Sequence, residues 1–279
     1  MDTKQIQKMT DAEYFSMPAV SASQIKAWDK GAYWFWKTSP FNPDRVQEED
    51  SDAMMFGKLA HCMLLEPEKL NDEFEVADFG KTRANKKYQE LKATTKKMLV
   101  TADEYAHASK MMVEIGNHSL ASAIIDGATA EMPYFWIDDE TKLYCKCKID
   151  AIKRTKNGIV VIDYKTSSDI QGVLNWPQKL QYPLQADFYC RAVEKKYGEK
   201  PCEFVFIIQS NKPGEEDVIA VANVEYDTSI VAHDLVDHHM ASIKERLDAW
   251  NETHDKTLFA AYPFRMEMRY SNWFMERGE

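Results

Sequence analysis

The apolar positions divide this chain into a helical opening, a run of strands and a closing mixture of the two. Residues 21–38 (SASQIKAWDKGAYWFWKT) offer a serine cap at Ser21 or Ser23 and continue at helical spacing. SPFNPDR and the acidic EEDSD read as a loop, and residues 53–65 (AMMFGKLAHCMLL) predict a strongly apolar helix ended near Pro67. Residues 101–116 open with the capping-box pair Thr101 and Glu104 and end on a glycine. EMPYFWID, TKLYCKCKID and NGIVVIDYKT then alternate or run apolar between turn residues, including Asn157-Gly158. In the second of these, Leu143, Cys145, Cys147 and Ile149 share one face, leaving Tyr144, Lys146, Lys148 and Asp150 on the other. In the third, Ile159, Val161, Asp163 and Lys165 share a face. A helix over 183–197, the strands EFVFIIQS and VIAVANVEY, and a long amphipathic helix over 228–250 complete the pattern. The order predicts a mixed α/β (α+β) fold, a central mixed sheet with helical flanks.

Bulk properties narrow the class. Hydrophobic content of 44% is that of a globular chain, and no apolar run reaches the roughly 18 residues of a membrane span. MDTKQIQKMTDAEYF lacks the basic start and apolar core of a secretion signal. Five cysteines without a CxxC pair argue against a disulfide framework and a cysteine zinc site, and suit a reducing cytoplasm. The net charge of −10 argues against a general nucleic-acid coat. Within that acidic chain, residues 80–100 hold Lys81, Arg83, Lys86, Lys87, Lys92, Lys96 and Lys97 against Glu90 alone. That island is either a solvated face or a track for DNA phosphates.

The chemistry gathers at D-x12-D-x-K, where Asp150 and Asp163 end strand-like runs joined by a short turn and Lys165 follows on the pleat face of Asp163. Two carboxylates and a backbone carbonyl make an oxygen-rich site for Mg²⁺ or Mn²⁺. A lysine there can orient or deprotonate the attacking water and offset phosphoryl charge. The plainer alternative is a set of exposed charges where strands end. His61, in an otherwise apolar helix, is either a core histidine or a further ligand. Gly57, one turn earlier, would permit close backbone approach. Gln185 and Tyr189 stand i, i+4 on one helix face, either holding a phosphate or forming a half-buried polar seam.

Together, H…D…IDxK…QxxxY resembles the PD-(D/E)xK nuclease superfamily in the version of the RecB-type and RecE-type nucleases. SASQIKAW, FGKLAHCMLLEPEKLNDEFEV, KTRANKKY and the E-x18-D span from Glu131 to Asp150 extend the likeness to the RecE-like phage and prophage exonuclease domain, over about residues 20–197. The resemblance implies a restriction-endonuclease-like core in a single nuclease domain over 1–279: a helical and loop region to about 52, a core over 53–255 and a tail over 256–279. It implies that His61, Asp150, Asp163 and the Tyr164 carbonyl hold metal, as two ions of Mg²⁺ or Mn²⁺, with Lys165 catalytic and Glu131 near the metals. Gln185 and Tyr189, with Ser23, Lys26, Arg83, Lys86 and Lys87, would support the site or bind DNA. Ile149 replaces the proline of the superfamily's name. Relatives with an iron–sulfur cluster carry C-terminal cysteines, and none follows Cys202 here, so no cluster is expected. The implied activity is 5′-to-3′ resection of linear duplex DNA, leaving 3′ overhangs for a RecT-like single-strand-annealing partner. The family's members form homo-oligomeric rings around DNA. A structure-specific or restriction-like endonuclease, or a non-catalytic DNA-end-binding module, would use the same scaffold.

Overall fold

The computed structural model describes residues 9–46, 50–79, 83–130 and 133–261. Helix α1 (Asp11–Ser16) carries a capping box between Thr10 and Glu13. The Trp-rich opening is two helices, α2 (Ala22–Lys30) and α3 (Ala32–Thr38), because Gly31 breaks it at φ 132°. Ser21 is the N-cap of α2 but makes no side-chain capping bond. The apolar helix α4 (Asp52–Leu65) follows, capped by Ser51, and ends before Pro67. A short α5 (Leu70–Glu73), strand β1 (Phe74–Ala77), helix α6 (Lys86–Lys92) and strand β2 (Met98–Thr101) form a small parallel unit. Helix α7 (Ala102–Asn117) begins with the expected Thr101–Glu104 box, and α8 (Ser119–Ile125) follows.

The central sheet uses β3 (Thr129–Ala130), β6 (Ala151–Thr155), β7 (Gly158–Ser167), β8 (Glu203–Ser210) and β9 (Ile219–Asn223), in that spatial order. Only β7 and β8 run parallel; the other neighbours are antiparallel, so the sheet is mixed. Strands β4 (Tyr134–Ile137) and β5 (Tyr144–Cys147) pair as a separate hairpin. Helices α9 (Ile170–Asn175) and α10 (Tyr182–Tyr197) connect β7 to β8, and α11 (Tyr226–Thr253) follows β9.

Both faces of β7 are covered. Ile159 and Val161 pack with Ile25 of α2, Phe35 of α3, Phe188 of α10 and Ile243 of α11. Val160, Ile162 and Tyr164 pack with Ala60 of α4, Ile115 of α7 and Ala121 of α8. The N-terminal helices therefore share the main core, and so does Phe259, stacked on Trp36 at 4.2 Å. Lys146, on the polar face of β5, is buried: its ammonium donates to the carbonyls of Tyr14 at 2.7 Å and Met17 at 2.8 Å, pinning α1 to the hairpin. No helix among the described residues is long and apolar enough to cross a membrane.

Candidate active site

The β6–β7 hairpin closes at Thr155 and Gly158, where Gly158 takes φ 125°. From there the antiparallel register runs to Ala151 opposite Ile162. One further step sets Asp150, just before β6, beside Asp163. The two carboxylates thus meet where the hairpin leaves the packed core.

Their environments differ. Asp150 accepts the main-chain N–H of Tyr164 at 2.8 Å, and its second oxygen lies 2.9 Å from His61 Nε2 on α4. Burial opposes the charged Asp150, yet His61, Lys165 and the Tyr164 N–H outweigh it and hold the carboxyl below its usual range. The same contact overcomes burial at His61 and raises the imidazole. Asp163 is fully buried, and its Oδ2 accepts Gln185 Nε2 at 2.6 Å. Lys165 meets Oδ1 as a close, charge-assisted ion pair, so each carboxylate oxygen has its own partner. Burial pushes the Asp163 carboxyl up to about 6, with Lys165 opposing and Asp150 adding to the rise. Despite its own burial, Lys165 is held above the ordinary lysine range by Asp163 and Asp150.

A cleft of about 360 Å³ opens over this group, lined by His61, Asp150, Tyr164 and Lys165 together with Phe15 and Lys148. Asp163 lies beneath it. Lys26 of α2 donates to Gln185 Oε1 at 2.5 Å, and the Tyr182 ring faces both Lys26 and Lys165. Burial, then Lys165, lowers the Lys26 ammonium to about 7. Tyr189 and the exposed Ser23 line a neighbouring cavity of about 320 Å³ that shares Phe15 and Lys148 with the cleft.

Among the described residues, no three His, Cys, Asp or Glu side chains form a ready-made metal cluster. His61 and Asp150 contact one another, while Asp163 is engaged by Gln185 and Lys165. The donor set nevertheless fits a hard divalent cation: two carboxylates, an imidazole and the Tyr164 carbonyl. His61 and Asp150 line the cleft and the buried Asp163 stands beside them, so those donors are present at one place. Glu131 lies outside the described residues.

A methyl group on Gly57 would meet Thr166 Oγ1 at 3.6 Å, an ordinary contact, so close approach does not require glycine there. Arg83 is partly buried and paired with Asp52 at 2.9 Å and Glu104 at 2.7 Å, whereas Lys86 and Lys87 are exposed. No sequence motif singled out Phe15, Lys148 or Tyr182 for the site. Lys148 could have been found from its position two residues before Asp150, on the same face of the run predicted from the sequence; Phe15 and Tyr182 have no comparable local signal.

A hairpin presenting two carboxylates and a lysine, backed by a helical glutamine, places the fold and centre in the PDDEXK-like class. Residues 21–258 match the family described as "PDDEXK-like domain of unknown function (DUF3799)", and the chain belongs to that family. A crystal structure from Eubacterium rectale, described as a "Putative exonuclease", superposes with a TM-score of 0.60 at 16% identity, over 98% of this chain and 99% of that one. This likeness establishes shared fold. A second structure, SSO0001, aligns over 84% of this chain and 87% of its own at 16% identity, but its TM-score of 0.29 carries no argument. No curated protein matches the chain.

Proposed function

We propose that the protein is a metal-dependent deoxyribonuclease, an exonuclease that resects linear duplex DNA from the 5′ end. The observation carrying this reading is the Asp150–Asp163–Lys165 group, gathered at a solvent-open cleft with His61 beside it. When bound, Mg²⁺ or Mn²⁺, as two ions, would supply Lewis-acid activation of water and neutralise the scissile phosphate and leaving oxygen. His61, Asp150, Asp163 and the Tyr164 carbonyl are the candidate ligands. Lys165 reaches the cleft and offers positive charge to a phosphoryl oxygen. Gln185 holds Asp163 from behind.

The RecE-like motifs and the exonuclease description of the Eubacterium rectale protein favour attack at DNA ends. A 3′ overhang would serve a RecT-like annealing partner, and a homo-oligomeric ring would keep the enzyme on its substrate. The five free cysteines suit the bacterial host cytoplasm. The test is a gel of end-labelled linear duplex and closed-circular plasmid, with and without Mg²⁺. Release of the 5′ label from the linear DNA alone, only with Mg²⁺, is expected. Equal cleavage of the circle would establish an endonuclease instead.

A further inference from the structure

We infer that Lys26 is a positioning residue that fixes which end of the Gln185 side-chain amide faces Asp163. The two ends of an amide have nearly the same shape but opposite hydrogen-bonding character. Asp163 Oδ2 requires a donor and receives Gln185 Nε2 at 2.6 Å. The opposite end of the amide meets Lys26 Nζ at 2.5 Å. A charged ammonium donates and cannot accept, so it selects the carbonyl. Flipping the amide would set its NH₂ against the ammonium and its carbonyl against the carboxylate. Both contacts would be repulsive.

The helices that carry these groups are held in register by a second contact. One turn beyond Lys26, Asp29 accepts Gln181 Nε2 at 2.5 Å and lies 3.0 Å from His239 Nε2 of α11. Gln181 immediately precedes α10 and has φ 54°, a left-handed conformation that a non-glycine side chain rarely adopts. Asp29 thus anchors the start of α10, and Lys26 orients the side chain one turn farther along. Lys26 and Asp29 are three residues apart on α2; Gln181 and Gln185 are four apart on α10. This spacing aligns the two contacts. The consequence is local to the centre: Gln185 occupies Asp163 Oδ2 and leaves Oδ1 to the Lys165 ammonium.

The kinetic part of the test rests on the nuclease reading; the spectroscopic part does not. Kinetics of Lys26→Met, Gln185→Ala and the double variant would be measured on linear duplex with Mg²⁺ below pH 7, where the Lys26 ammonium is charged. Lys26→Met should lower kcat by about ten- to hundredfold with KM nearly unchanged. The double variant should be no worse than Gln185→Ala by more than about twofold. Lys26→Arg, which retains a donor-only head group, should recover most of the loss. Additive losses, or a raised KM with kcat intact, would overturn the inference and make Lys26 a DNA-backbone contact. Independently, the Gln185 side-chain NH₂ resonances of the metal-free full chain should be displaced by the carboxylate bond. They should move toward those of a free amide in Lys26→Met. Unchanged resonances would overturn the inference even in a chain without nuclease activity.

Discussion

The main-chain N–H of Tyr164 donates to the Asp150 carboxylate at 2.8 Å, so the strand carrying Asp163 also holds the other acid of the pair. One backbone segment thereby fixes both carboxylates while leaving them in different electrostatic states. Asp150 is stabilised as an anion, whereas burial raises the Asp163 carboxyl despite its pairing with Lys165.

Asp163→Ala should abolish cleavage while retaining the fold. The carboxylate is a candidate metal ligand, and surrounding apolar contacts of β7 with α10 and α11 remain. Circular dichroism and a labelled-duplex assay on the purified variant make the comparison. Cleavage at the wild-type rate would remove Asp163 from the active site.

Lys165→Ala should also stop cleavage yet still bind Mn²⁺, because an ammonium is not a metal ligand. In the metal-free chain it should cost about 3–5 kcal/mol at neutral pH, since Asp163 is left buried without its paired cation. The cost should shrink as pH falls toward about 6, because without Lys165 to lower it the Asp163 carboxyl takes up its proton at a higher pH than in the wild type. Urea midpoints and Mn²⁺ calorimetry test these outcomes; loss of Mn²⁺ binding would contradict the division of roles.

The His61–Asp150 contact has a defined pH window. Its folded imidazole pKa is raised, so its stabilisation is full below the unfolded value of 6.5 and disappears as pH rises through the folded value. Asp150 is lowered from 3.8, so its stabilisation is present above that value and lost as pH falls through the folded one. His61→Ala should therefore destabilise the metal-free chain more at about pH 5 than at about pH 9. It should also weaken Mn²⁺ binding more than Mg²⁺ binding, because nitrogen ligation matters more to the softer ion. Equal destabilisation at both pH values would remove the pH-linked role. Unchanged metal titrations would remove His61 from the candidate ligands.

Long, strongly patterned elements were legible: the apolar helix over Asp52–Leu65, the Thr101–Glu104 cap and the Gly158–Ser167 strand show their periodicity locally. Strand β6 was not, because Lys153, Arg154 and Thr155 make its exposed half resemble a charged turn. Strands β1 and β2 have four residues each and gain their pairing across an intervening helix. Convergence of Asp150 and Asp163 could be anticipated from their adjoining runs, but not their register, which β6 sets, nor the Lys26–Gln185 contact, whose partners lie 159 positions apart. Charge also failed to distinguish exposed lysines from Arg83, whose acidic partners come from distant segments.

That distinction separates two effects within the basic island. Lys86 and Lys87 open α6 and face solvent; Arg83 instead joins Asp52 and Glu104. If the exposed pair binds DNA, Lys86→Ala with Lys87→Ala should flatten the slope of log affinity against log salt by about 0.9 for each phosphate that a lysine neutralises. Neither belongs to the metal-ligand set, so Mn²⁺ binding should persist. Arg83→Ala should leave the salt slope nearly unchanged but lower stability by about 1–3 kcal/mol, because it removes charge-assisted hydrogen bonds. Duplex binding would be titrated with salt in Ca²⁺ for each variant, alongside urea unfolding. A flatter slope in Arg83→Ala alone would place the DNA track at that guanidinium. An unchanged slope in the lysine variant would identify its charges as solvated surface.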